Sequence, residues 1–233
     1  MRLHANEPDV KRHPEYRAAK SGNISAADLL VADMASFDCI EQIGREIEGK
    51  RVQLVAVHAL ETEGVNEIPA ALAKRLKATL GMATNETIVQ TNTVGHTGAS
   101  GFHRLANQAL FTGTVEPSAS FLIVDDFVGQ GGTLANLVGY IRAQGSGVIG
   151  ATALTGKPYS AKLAPEHSAI AALRQKHGRE LENWWKERFG FSFDCLTRSE
   201  ARYLEHSPDA HTIRDRLAAA GLEGSAEGSS TSF

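Results

Sequence analysis

Two carboxylates side by side, Asp125 and Asp126, close the apolar run Phe121-Leu122-Ile123-Val124 and are soon followed by Gly129-Gln130-Gly131-Gly132-Thr133. An apolar run of this kind suits a strand buried on both faces of a parallel sheet, and in an open α/β sheet ligands bind at the carboxyl ends of such strands. Glycines let backbone N–H groups crowd around an anion, Thr133 adds a hydroxyl, and the start of a following helix adds partial positive charge. The turn can therefore hold one phosphate without a lysine. Asp125 and Asp126 point to opposite sides while the strand lasts, but at its end both can reach the vicinal hydroxyls of a sugar or a hydrated Mg2+. The ligand implied is a ribose 5-phosphate. Two other phosphate motifs do not fit: no lysine precedes Thr133 as in a Walker A loop, and glycines at 129, 131 and 132 lack the dinucleotide spacing. The bare alternative is a tight βα turn with the acids at the surface or at a helix cap, but adjacent acids at the mouth of a buried strand have no packing use.

The elements that must position these residues alternate. Ser25 opens a long helix whose apolar residues, Leu29 to Ile47, recur at helical spacing. Val52 to Val57 is a β-branched strand, a loop follows from His58 to Glu67, and a helix starts at Pro69 and stops at Gly81. Thr87 to Gln90 reads as a short second strand, and Thr91 to Thr114 as a long polar loop of the sort that is usually functional. After the acid-bearing strand come a helix from about Leu134 to Gln144 and a strand from Val148 to Leu154. Strands alternating with helices argue for a Rossmann-like, mostly parallel α/β sheet. Beyond Pro158 the pattern turns helical, including a Thr197-to-Glu200 capping box. The organisation expected is an N-terminal arm and packing helix (1–49), a core (50–160), a helical hood (161–220) and a flexible Gly- and Ser-rich tail (221–233). Residues 1–24, polar and without apolar period, are assigned no chemistry.

Composition bounds the function. The 233 residues are 42% hydrophobic and 22% charged, enough for a full core and unlike disordered, collagenous or coiled-coil chains. Lys and Arg number 24 against 27 acids, so the net charge of -3 gives no bulk reason to bind nucleic acid or an anionic membrane. Cys39 and Cys195 make no disulfide framework, no apolar run approaches the roughly 20 residues of a membrane helix, and Met1 to Lys20 has no signal-peptide core. A cytoplasmic protein is expected. His96 and His103, on a Gly-rich loop, read as solvated rather than as metal ligands.

From Phe121 to Thr133 the chain resembles the type I phosphoribosyltransferases, whose signature is an apolar strand, two acids, two apolar residues, a phosphate loop and Gly-x-Thr. The resemblance implies that Asp125 and Asp126 bind the ribose hydroxyls of phosphoribosyl pyrophosphate (PRPP) with Mg2+ nearby, and that Val128, Gly129, Gln130, Gly131, Gly132 and Thr133 take the 5-phosphate. The family commonly has hydroxyl or acidic residues where this chain has Gly129 and Gln130, so the cradle here would be made of backbone amides. By position, Ala59, Leu60 and Glu61 correspond to the pyrophosphate loop. The stretch from Gly95 to Arg104 corresponds to the lid, with Arg104 neutralising the leaving group. Phe102 to Phe111 resembles the Arg-x-x-Asn-aromatic pattern of competence-associated members. Lys157-Pro158 resembles the lysine that holds the purine O6 in members acting on 6-oxopurines, though the acid those enzymes place near purine N7 would fall at Gly129. Tyr159, Trp184 and Trp185 are candidate stacking faces.

The activity implied is transfer of 5-phosphoribosyl from PRPP to a nitrogenous base, a purine first, in a homodimer with no membrane or nucleic-acid partner. A PRPP- or nucleotide-sensing module and a PRPP-cleaving hydrolase are the alternatives.

Overall fold

The computed structural model describes residues 1–57, 60–61, 64–92, 101–157 and 162–229. The chain starts with β1 (Arg2–Leu3), α1 (Glu7–Arg12), α2 (Tyr16–Lys20), α3 (Ile24–Met34) and α4 (Phe37–Ile47). It continues through β2 (Val52–Ala56), β3 (Leu60–Glu61), β4 (Gly64–Val65), α5 (Ile68–Leu80), β5 (Ala83–Asn85) and β6 (Val89–Gln90). Then follow α6 (Gly101–Ala106), β7 (Phe111–Thr112), β8 (Ser120–Val128), α7 (Gly132–Ala143) and β9 (Gly147–Gly156). The last elements are α8 (His167–Phe189), α9 (Arg198–His206) and α10 (Ala210–Ser229). Two compact units result. One comprises Met1–Thr93, Leu110–Gly129 and Ile141–Ala161, and the other Val94–Ala109, Gln130–Tyr140 and Lys162–Phe233.

The first unit is built on a five-stranded sheet of order β1-β9-β8-β2-β5, every pair parallel. This is the α/β architecture expected, and β8 lies at its centre. Its apolar run is buried on both faces, with Phe121, Ile123 and Val124 fully enclosed. Leu54, Leu72, Leu76, Leu122 and Leu154 knit sheet and helices into one core, each fully buried side chain contributing about 2 kcal/mol. The helix opened by Pro69 and closed by Gly81 is α5, as expected.

Three details depart from expectation. The helix read as continuous from Ser25 to Ile47 is two helices. Ser36 leaves the helical region, and its hydroxyl accepts the Cys39 N–H at 3.3 Å, capping a fresh start. The strand in the sheet is β5, not Thr87–Gln90. Asn85 Oδ1 accepts the Thr87 and Ile88 N–H groups at 3.0 and 3.2 Å, which bends the chain out of the sheet. β6 then pairs antiparallel with β7. Residues 1–24, read in the sequence as an arm or an irregular cap, contribute to the sheet and the core: β1 pairs with β9, and α1 and α2 bury Val10 and Ala19.

The second unit is helical. Gly178 (φ 75, ψ 167) breaks α8 into two helical stretches, and Arg174 braces the break by donating to Glu182 at 2.7 and 2.8 Å and to Asp194 at 2.7 Å. Trp185 is fully buried against Phe189 and Phe193, ring centroids 4.4 and 5.9 Å away, so it is core rather than a stacking face. Trp184 carries Arg188 and Arg214 over its ring. The Thr197/Glu200 capping box opens α9 as expected. The α10 backbone continues past Gly221, where the sequence suggests a tail, to Ser229. Among the described residues no helix is long and apolar enough to cross a membrane.

Candidate functional site

At the carboxyl end of β8 the flanking strands are of unequal length. β2 is paired only as far as Ala56, opposite Val124, with one further bond from Val57 N–H to the Val124 carbonyl at 2.8 Å. β9 continues to Gly156, opposite Val128. Asp125 and Asp126 therefore stand one step beyond the β2 pairing, each only 7% exposed. The Asp126 N–H donates to Asp125 Oδ1 at 2.8 Å, tying the two carboxylates into one local structure. Burial first, and then the charge of Asp126, hold the Asp125 carboxyl well above the usual carboxylate range.

The N-terminal segment supplies the counter-charges. Lys20, last residue of α2, places Nζ 3.1 Å from Asp126 Oδ2. Glu7, in the first turn of α1, receives Lys157 Nζ at 2.6 Å and Lys11 Nζ at 2.7 Å. Lys11 first and Lys157 next hold the Glu7 carboxyl below its ordinary range. Lys11 also lies over the Phe127 ring, 4.9 Å from its centroid. Lys157, whose N–H donates to the Val128 carbonyl at 3.0 Å, thus stands at the same sheet edge as the acid pair, its ammonium engaged by Glu7. Sequence reasoning missed Lys20 and Glu7. Their partners lie 106 and 150 residues away along the chain, and no local pattern signals such pairs.

Of the expected phosphate-turn residues, Val128 and Gly129 belong to the first unit and Gln130 to Thr133 to the second. Within the second, the glycines have packing reasons of their own. Gly131 has φ 79, and a side-chain carbon there would overlap Leu163 Cδ2. One at Gly132 would meet Glu200 Oε1 at 3.2 Å. Leu163 is fixed by its carbonyl, which accepts the Arg198 N–H at 2.7 Å, and Glu200 by the Thr197 N–H at 2.7 Å. Burial pushes the Glu200 carboxyl up. Arg104 lies on α6 of the second unit. Leu60 and Glu61 form β3, which pairs with β4 in a hairpin directly after β2. Ala59, Tyr159 and the lid residues Gly95 to Ser100 lie outside the described residues.

A divalent cation coordinated by the acid pair does not fit this arrangement. One Asp126 oxygen already faces an ammonium, and one Asp125 oxygen is taken by a backbone N–H. A dication on the same carboxylate would have to displace the Lys20 ammonium or sit against it. Among the described residues no group of three or more His, Cys, Asp or Glu is placed to hold a metal.

Comparison with known proteins gives two kinds of match, and no family model matches the chain. Over 214 residues the chain is 40% identical to Protein TraN of Escherichia coli, covering 92% of this chain and 48% of that protein. Over 133 residues it is 39% identical to an uncharacterized protein of Haemophilus influenzae, covering 57% of this chain and 30% of the other. The chain thus spans half or less of the length of these relatives. Among solved structures, an adenine phosphoribosyltransferase superposes with TM-score 0.36 at 11% identity, covering 56% of this chain and 76% of its own. A Staphylococcus aureus hypoxanthine phosphoribosyltransferase gives 0.35 at 16% identity, with 52% and 61% covered. Leishmania donovani UMP synthase gives 0.33 at 12%, with 82% and 35% covered. The α/β assignment rests on the strand order and the all-parallel register described above.

Proposed function

We propose that the carboxyl end of β8 binds the ribose of PRPP and that the chain transfers the 5-phosphoribosyl group to a nitrogenous base, a purine first. One observation carries this reading: two adjacent carboxylates, almost wholly buried, end the central strand of a parallel sheet, and the chain runs from them into a Gly-rich turn and a helix. Burying such a pair is costly and serves no packing purpose, which marks a place kept for a ligand. Asp125 and Asp126 accept from the two ribose hydroxyls, and the amides from Val128 to Thr133 take the 5-phosphate. The bond from C1 to pyrophosphate breaks with its electron pair leaving on pyrophosphate, a lone pair of the base nitrogen forms the new bond to C1, and the displaced N–H proton passes to solvent. Arg104 is assigned to the leaving-group charge, and Lys157, on release from Glu7, to the purine O6.

A second reading has its own support. Glu200 beside Gly132, and Lys20 on Asp126, put protein side chains near where ligand groups would sit, as suits a module that binds PRPP or a nucleotide without turning it over. Pyrophosphate release from PRPP, with no base and then with a panel of purines, pyrimidines and amines, separates the two. Release that depends on one base is expected. Calorimetric binding of PRPP with no release for any acceptor would replace transfer by sensing.

A further inference from the structure

We propose that Lys20 is the built-in cation of the acid pair, so that a phosphorylated ribose binds there without a divalent metal ion. This rests on the reading of the pair as a ribose site and names how that site balances its charge. Lys20 is not a loosely held surface lysine. It ends α2, and the residue before it, Ala19, is completely buried, with its carbonyl accepting the Glu67 N–H at 3.1 Å. The helix end is thereby pinned beside the sheet edge, and the Lys20 side chain, 20% exposed, reaches an Asp126 side chain that is 9% exposed. At that burial the pair is screened little by salt, and its geometry persists where a surface pair would dissolve.

The consequence is chemical. Charged oxygens of a phosphoribosyl ligand are ordinarily escorted by a hydrated dication held through one or two carboxylates. Here the ammonium occupies one carboxylate of the pair. It can pivot on its four-carbon stem from Asp126 toward a ligand phosphate, which a fixed backbone donor cannot do. Asp126 is then released to accept a ribose hydroxyl. Lys20 is in this sense a positioning and charge-matching residue contributed by a segment that carries no motif.

The test uses the full chain and two probes. Mn2+ is titrated by electron paramagnetic resonance into wild type, Lys20→Met and Lys20→Arg. PRPP and ribose 5-phosphate are titrated calorimetrically in EDTA and in excess Mg2+. Expected for wild type are weak Mn2+ binding and ligand affinities that agree within about twofold with and without Mg2+. Lys20→Met should bind Mn2+ at least about tenfold more tightly, lose about tenfold in ligand affinity in EDTA, and regain part of it with Mg2+. Lys20→Arg, keeping the charge, should behave as wild type does in both titrations, and thermal melts report whether each variant is folded. A wild type that binds PRPP only with Mg2+, or a folded Lys20→Met no better at Mn2+ than wild type, overturns the proposal. Should neither sugar phosphate bind in any buffer while Lys20→Met still gains Mn2+, the ribose reading fails and the charge-matching role of Lys20 stands.

Discussion

The two ends of the same strands differ in what they enclose. At the amino ends of β2, β5 and β8 an open recess of about 730 Å3 is lined by Lys50, Arg51, Gln53, Glu116 and Ser118, among others. Its polar groups meet neighbours at the surface: Gln53 Nε2 donates to Glu116 Oε2 at 2.6 Å, and Lys50 Nζ to the Glu46 carbonyl at 2.8 Å. At the carboxyl end of β8, Asp125 and Asp126 are each only 7% exposed. Space alone arises wherever strand ends leave a gap between helices, and exposed charges around it cost little. Keeping two adjacent carboxylates out of water costs a great deal, so burial of charge, rather than volume, separates a candidate site from a surface hollow.

Four measurements would sharpen or break that contrast. The largest effect is expected at Asp125: Asp125→Asn should weaken PRPP binding about 1000-fold, or roughly 4 kcal/mol. Because Asp125 is held toward its protonated form, the same substitution should leave thermal stability unchanged or raise it. Glu116→Gln, at the other end, should alter calorimetric affinity by less than about twofold. If the amino-end variant is the one that abolishes binding, the assignment of the two ends is reversed.

Next in size is a pH effect. His4 is 8% exposed, with Nε2 3.1 Å from Thr152 Oγ1 and 3.7 Å from Cys39 Sγ, and burial lowers its pKa to about 4 from an ordinary 6.5. In the unfolded chain it takes a proton near pH 6.5, in the folded chain only near 4. Folding stability should therefore fall across that window on acidification, by up to about 3 kcal/mol, and be insensitive to His4 above it. In urea titrations the stability difference between wild type and His4→Asn should be constant above pH 6.5 and shift in the variant's favour below it. Asp125 runs the other way: its raised pKa makes its contribution complete at low pH and lost as pH rises, a trend that Asp125→Asn should remove.

Smaller still is the difference between two glycines of one turn. Gly131→Ala meets both a positive φ and Leu163, and should cost about 2 kcal/mol in urea unfolding. Among the described residues, a side-chain carbon at Gly129 approaches nothing nearer than Phe127 Cε1 at 3.6 Å, so Gly129→Ala should change stability by less than about 0.5 kcal/mol. Equal costs at the two positions would mean that Leu163 does not pack on the turn as described.

How much of this was legible in the sequence depended on how local its cause is. The apolar run into Asp125-Asp126, the Pro69-to-Gly81 helix and the Thr197 capping box each follow from a handful of adjacent residues, and each stands where expected. Ser36 had a local signal too, a capping residue in mid-helix, outweighed by the apolar period on either side of it. The strand Ala83-Thr84-Asn85 had none. It is polar and holds its place only because β2 offers it partners, whereas apolar Ile88, 1% exposed, is buried outside any strand. Lys20 and Glu7 were invisible for the same reason: an ion pair across a hundred residues is set by topology, which composition does not encode.

The pairing of β1 with β9 orders events in time. Arg2 and Leu3 lie beside Thr152 and Ala153, so β1 has no neighbour in the sheet until a strand 150 residues further along the chain is in place. Closing so long a loop is slow relative to forming local helices. Like that pairing, the Lys20–Asp126 contact joins residues 106 positions apart, so it forms only once the chain has folded back on itself.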